Sequence, residues 1–115
     1  MDATACLALA MGCPVARLAT VRADGRVDLV PIAVALVGDA VVFAVDHKPK
    51  TTARLQRLRN IEANPDVTVL FDHYEDDWTQ LWWVRVRGRA AVLADDDELR
   101  PVALDALVYA HPQYE

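Results

Sequence analysis

The residues best suited to chemistry form a basic run, Lys48, Lys50, Arg54, Arg57 and Arg59, with no acidic residue between Asp46 and Glu62. The run leads off a strand-like segment into a helix-like one. A helix N-terminus offers free N–H groups and the positive end of its dipole to an anion. Lys48, Lys50 and Arg54 can converge on that end, which suits a phosphate group. The same residues also read as a solvated basic helix face paired with the acidic turn Glu75-Asp76-Asp77, and charge alone leaves both readings open. Glycine-rich phosphate loops are absent, because the four glycines form neither a dinucleotide-binding nor a P-loop pattern.

Other candidates are weaker. Asp46-His47 and Asp72-His73 each sit at a strand end, but neighbouring strand residues point to opposite faces. Each pair can then offer one ligand to a common centre, and no set of three or four is visible, so no metal is expected. Trp78, Trp82 and Trp83 are clustered. They suit core or dimer-interface anchors, or a wall for a planar ring system. Arg85, Arg87 and Arg89 share one face of a strand, which is a solvated outer face, an ion-pairing interface or part of an anionic ligand site. Cys6 and Cys13 fall on one helix face two turns apart, about 10 Å along the axis, too far for a disulfide within the helix. They read as buried reduced thiols. Serine does not occur in the chain, which removes Ser-His-Asp and Ser-Lys hydrolase chemistry.

These residues need elements to hold them. Residues 2–12 have helical spacing, ended by Gly12 and Pro14. A first strand spans 15–23, and Ala23-Asp24-Gly25-Arg26 is a tight-turn signal into a second strand over 27–37. Pro31 lacks a ladder donor, so the second strand is expected to have an edge, bulge or break in pairing there. Gly38-Asp39 turns into a third strand over 40–45, whose continuous apolar character predicts burial on both faces. Thr51 or Thr52 caps a helix over 51–63 that Asn64-Pro65 stops. A fourth strand covers 67–74 and a fifth 81–93. Along the fifth, Trp83, Arg85, Arg87 and Arg89 face one way and Trp82, Val84, Val86 and Gly88 the other. Asp95 to Glu98 place carboxylates at the start of a last helix over 97–110. Five strands at hairpin-like spacing with helices between and around them predict a small antiparallel barrel of α+β type.

Size and charge bound the function. At 115 residues and 12.7 kDa, 54% hydrophobic, the chain is expected to be a single domain over 1–115 with a conventional core. Its net charge of −5 argues against nucleic acid and anionic lipid as partners of the whole surface. No apolar run reaches the roughly 18 residues of a membrane span, and the apolar start lacks the basic flank of a secretory signal. The expected compartment is the cytoplasm.

Several segments together resemble the split-barrel flavin-binding superfamily of pyridoxamine 5′-phosphate oxidase, and within it the F420-dependent group. They are Val15-Ala16-Arg17-Leu18-Ala19-Thr20-Val21 with Ala23-Asp24-Gly25-Arg26, and Leu29-Val30-Pro31-Ile32. The more specific ones are Asp46-His47-Lys48-Pro49-Lys50, Asp72-His73-Tyr74-Glu75-Asp76-Asp77-Trp78 and Leu81-Trp82-Trp83-Val84-Arg85. The likeness implies an FMN-binding split barrel that forms a homodimer with two cofactor clefts between protomers. It implies an oxidoreductase that passes hydride to or from a small organic molecule, with coenzyme F420 favoured over FMN. It further implies that Lys48, Lys50, Thr51 and Arg54 hold the cofactor's phosphate, the residues that charge also selects. Leu18, Ala19, Thr20, Pro31 and Ile32 would line the ring, and Trp78, Trp82 and Arg85 would approach from the partner protomer. Two rivals stand beside this reading: a non-catalytic cofactor-binding module, and a haem-binding split barrel that would need His47 or His73 in the cleft. Relatives continue past Pro112-Gln113-Tyr114 into a final strand, whereas this sequence stops at Glu115, so either it is a piece of a longer chain or the closing strand is missing.

Overall fold

A computed structural model describes residues 3–38, 40–43, 52–93 and 96–110. Its elements are α1 (Ala3–Met11), β1 (Val15–Val21), β2 (Val27–Val37), β3 (Ala40–Phe43), α2 (Thr52–Ala63), β4 (Asp66–His73), β5 (Trp82–Arg89) and α3 (Leu99–Ala110). The five strands form one curled antiparallel sheet in the order β3-β2-β1-β4-β5, flanked by the three helices. This is an α+β split barrel.

The alternation in β1 decides the two faces of the sheet. Ala16, Leu18 and Thr20 are buried while Val15 and Arg17 are exposed. The register carries that parity outward: Leu18 pairs with Val30 and with Val69, and Val69 pairs with Val86. On the inner face Leu18, Ile32, Val34, Val69, Phe71 and Val84 build the core, which α1 closes with Ala10 and with the partly buried Cys6 and Leu9. Cys13 packs on the same core but lies past the end of α1, so the two cysteines do not share a helix face, and both are half-buried rather than buried. Each fully buried chain of this size contributes roughly 1.5–3 kcal/mol through water removal. The β1–β2 turn holds Gly25 at φ 91°, a left-handed conformation that suits glycine, with Gly25 N–H donating to the Arg22 carbonyl at 2.9 Å.

Several element ends differ from the sequence expectation, each for a local reason. β5 stops at Arg89 rather than residue 93, because Arg89 already pairs with Asp66, the first residue of β4. Ala90 donates once more, to the Pro65 carbonyl at 2.8 Å, and beyond that the partner chain turns into α2. β3 is described over 40–43 and lies at the sheet edge with half-buried side chains, not buried on both faces; residues 44–45 lie outside the described set. Pro31 pairs with Arg17 on one side and has no described strand on the other, since β3 begins its pairing at Val34. The expected edge is therefore local to the first half of β2. α3 begins at Leu99, and Asp97 accepts from the Leu99 N–H at 2.8 Å, so this carboxylate does cap the helix. No described helix is long and apolar enough to cross a membrane.

Candidate functional site: a groove on the open face of the sheet

The outer face presents whatever the alternation does not bury. One row across the sheet reads Pro31, Arg17, Leu70, Arg85, and the next reads Leu29, Ala19, Thr68, Arg87. Over the middle of these rows lies an open groove of about 740 Å³. Arg17 and Arg85 line it along with Ala19, Leu70, Trp82 and Trp83. Leu29 and Trp83 are 68% and 63% exposed, so the apolar walls stand in water. The Arg85 guanidinium carbon lies 5.5 Å from the centre of the Trp83 ring, within cation–π range.

The end of the β4–β5 hairpin closes the groove. Asp72, His73 and Tyr74 belong to its lining. The His73 ring stacks on Trp82 at 6.2 Å and an interplanar angle of 20°, and His73 Nε2 lies 3.1 Å from Glu75 Oε1. Asp77 is used locally, accepting from the Thr79 N–H at 3.0 Å and from its hydroxyl at 2.7 Å. That double hydrogen bond lowers the Asp77 pKa below the usual carboxylate range. Among the described residues the acidic turn 75–77 forms no ion pair with the basic helix. No described group of three or more His, Cys, Asp or Glu residues could hold a metal.

A polar cluster lies on the opposite face, where β1 meets α2. Asn60 is 1% exposed. Its Nδ2 donates to Thr20 Oγ1 at 2.9 Å and to Asp28 Oδ2 at 2.8 Å, while its Oδ1 accepts from Gln56 Nε2 at 2.7 Å. Arg22 Nε donates to both oxygens of Asp28, at 3.1 and 2.9 Å. The hydrogen bonds from Arg22 first and Asn60 second hold the Asp28 carboxyl below its ordinary range. This cluster fixes α2 to the β1–β2 hairpin. Nearby on α2, the Arg57 Nε is buried with no hydrogen-bond partner among the described residues. At the other end of the core, burial first and the Asp72 charge second raise the Cys13 thiol pKa.

The twelve residues expected to bind a cofactor fall into separate places. Ala19, Trp82 and Arg85 line the groove, and Pro31 lies exposed on the same face in the row of Arg17. Leu18, Thr20 and Ile32 turn their side chains into the interior, at 0%, 1% and 4% exposure. Trp78 is exposed in a single 3-10 turn and does not line the groove. Lys48, Lys50 and Thr51 lie outside the described residues, as do Asp46 and His47; of Arg54 only the main chain, in the first turns of α2, is described. Arg17, Leu29, Thr68 and Leu70 are groove residues that sequence reasoning did not select. Alternation along β1 was the available signal for Arg17, which shares its face with Ala19. Leu70 and Thr68 depend on β4 lying beside β1, which no local pattern reveals.

A sequence model described as pyridoxamine 5′-phosphate oxidase matches residues 3–113. The chain belongs to that family. Solved structures show the same fold across nearly the whole of this family member. The FAD-binding protein from Mesorhizobium loti is 23% identical with a TM-score of 0.74, over 99% of this chain and 78% of that one. The haem storage protein HutZ from Vibrio cholerae is 18% identical with a TM-score of 0.75, over 96% and 76%. The FAD-binding protein from Mycobacterium smegmatis is 24% identical with a TM-score of 0.66, over 89% and 77%. At such identities the likeness speaks to the fold. A search of curated proteins found no match.

Proposed function

We propose that this chain is a cytoplasmic homodimeric oxidoreductase that binds a phosphate-bearing flavin or deazaflavin, with coenzyme F420 ahead of FMN. The observation that carries the reading is the groove: an apolar bed edged by tryptophan and arginine on the sheet face, in a family of flavin enzymes. That donor set fits a planar, anionic ring system, with Ala19, Leu70 and Trp82 as the apolar surface and Arg85 as a counter-charge. Preference for F420 rests on the likeness of the segments Asp46 to Lys50 and Asp72 to Arg85 to that subgroup. Lys48, Lys50, Thr51 and Arg54 would hold the phosphate. A second protomer laid over the exposed Leu29 and Trp83 would exclude water from the bed.

The bound group would supply hydride transfer, and the chain's part is to bind, orient and dry the cleft. Titration of purified protein with F420 and with FMN tests the reading: micromolar binding of one is expected, and binding of neither overturns it. Charge reversal by Lys50→Glu and Arg54→Glu should weaken that binding, with an effect that shrinks as salt rises. Turnover of reduced cofactor with enones or quinones separates an enzyme from a storage module. Haem is the second reading, because His73 does line the groove; haem titration with a His73→Ala control distinguishes it.

A further inference from the structure

We propose that Arg17 and Arg85 form a carboxylate grip across Leu70, and that the groove takes a planar apolar molecule bearing a single carboxylate. Arg17 pairs with Leu70, and Leu70 pairs with Arg85, so the two arginines bracket one leucine on the same open face. Two ladder spacings separate their backbones by about 10 Å; the Arg85 guanidinium lies over the Trp83 ring and turns from there toward Arg17 when a carboxylate is shared. Both arginines line the groove, and neither forms an ion pair or hydrogen bond with any described residue. Their fork of donors matches a carboxylate in two parallel hydrogen bonds.

The rest of the lining sets the class of the molecule. Leu29, Ala19 and Leu70 offer flat apolar contact, and Trp82, stacked on His73, and Trp83, under Arg85, bound one end. Asp72 is the opposing charge in the lining, beside Trp83, to which it pairs across the ladder. Two arginines against one aspartate leave a single positive charge, which a monoanion neutralises. His73 at the same end is engaged with Glu75. In the oxidoreductase reading the same bed receives the cofactor ring, so this molecule is the substrate stacked on that ring, with Arg85 shared between the two; that role rests on the reading, whereas the binding itself does not.

The probe is 2-naphthoate, with neutral 2-naphthamide as its shape control, followed by tryptophan fluorescence of the full chain. Naphthoate is expected to bind at least tenfold tighter than naphthamide at low salt. Arg17→Gln and Arg85→Gln should each weaken naphthoate by about tenfold, the scale of a charged hydrogen bond, and leave naphthamide unchanged, which also shows that the groove is still folded. Arg87→Gln, one row away and outside the lining, should change neither. Equal binding of the two probes, or an equal loss in Arg87→Gln, overturns the grip. Displacement of naphthoate by F420 or FMN would assign the arginines to the cofactor and overturn the substrate role. Naphthoate binding without any cofactor binding would sink the oxidoreductase reading and leave the grip standing.

Discussion

Asn60 shows how much one side chain can decide without announcing itself. It sits in a helix whose apolar period runs through Leu58 and Ile61, and nothing in its type or spacing separates it from a solvated residue. In the structure it is buried and satisfies Thr20, Asp28 and Gln56 at once. Replacing it by leucine leaves three polar groups short of a partner, at about 1–3 kcal/mol of desolvation if the nearer ones stay dry. Urea denaturation of Asn60→Leu should therefore show a loss of at least about 1 kcal/mol; a midpoint within error of the parent would mean the cluster is idle. Thr20 tells the complementary story. Its hydroxyl faces the interior and accepts from Asn60, so any contact it makes with a ring on the open face, as the family likeness implies, comes from its backbone. The basic run and Arg85 were legible because charge is visible in a sequence. Arg17 was hidden, because a lone arginine in an alternating strand gains meaning only from its neighbours across the sheet.

At the level of elements, local chemistry was readable and partnership was not. Gly12, Gly25, Gly38 and Asn64-Pro65 punctuate the chain where the structure turns, and alternation gave the faces of β1 and β5. Which strand lies beside which did not follow, since β4 returns to pair with β1 only after β2, β3 and α2 have passed. The end of β5 depended on that pairing too. Gly25 offers a clean test of the hairpin that starts the sheet. A Cβ there would meet nothing within 4 Å, so any effect of Gly25→Ala comes from backbone strain at φ 91° alone. A loss of about 1–2 kcal/mol in thermal or urea unfolding is expected. An unchanged stability would show that the turn relaxes without penalty.

The whole molecule has one closed face and one open face. Val15, Val27, Leu29 and Trp83 all stand exposed on the open side, more apolar surface than a lone domain usually offers in one place. If a second copy covers it, sedimentation should give twice 12.7 kDa at micromolar concentration, and Leu29→Asp should move the population toward the monomer. A monomeric parent chain would remove the dimer from the proposal. The sheet also has two unlike edges. Along β5, Arg85, Arg87 and Arg89 recur at every second residue, about 7 Å apart. Another β5 laid against it would stack guanidinium on guanidinium, so this margin resists templated growth of fibrils. The β3 margin carries Ala40, Val41, Val42 and Phe43, with no described charge to do the same work. Concentrated salt shortens the reach of the arginines to about 3 Å and withdraws their protection. Shelf life in solution then depends on ionic strength through one margin and on the cover over β3 through the other.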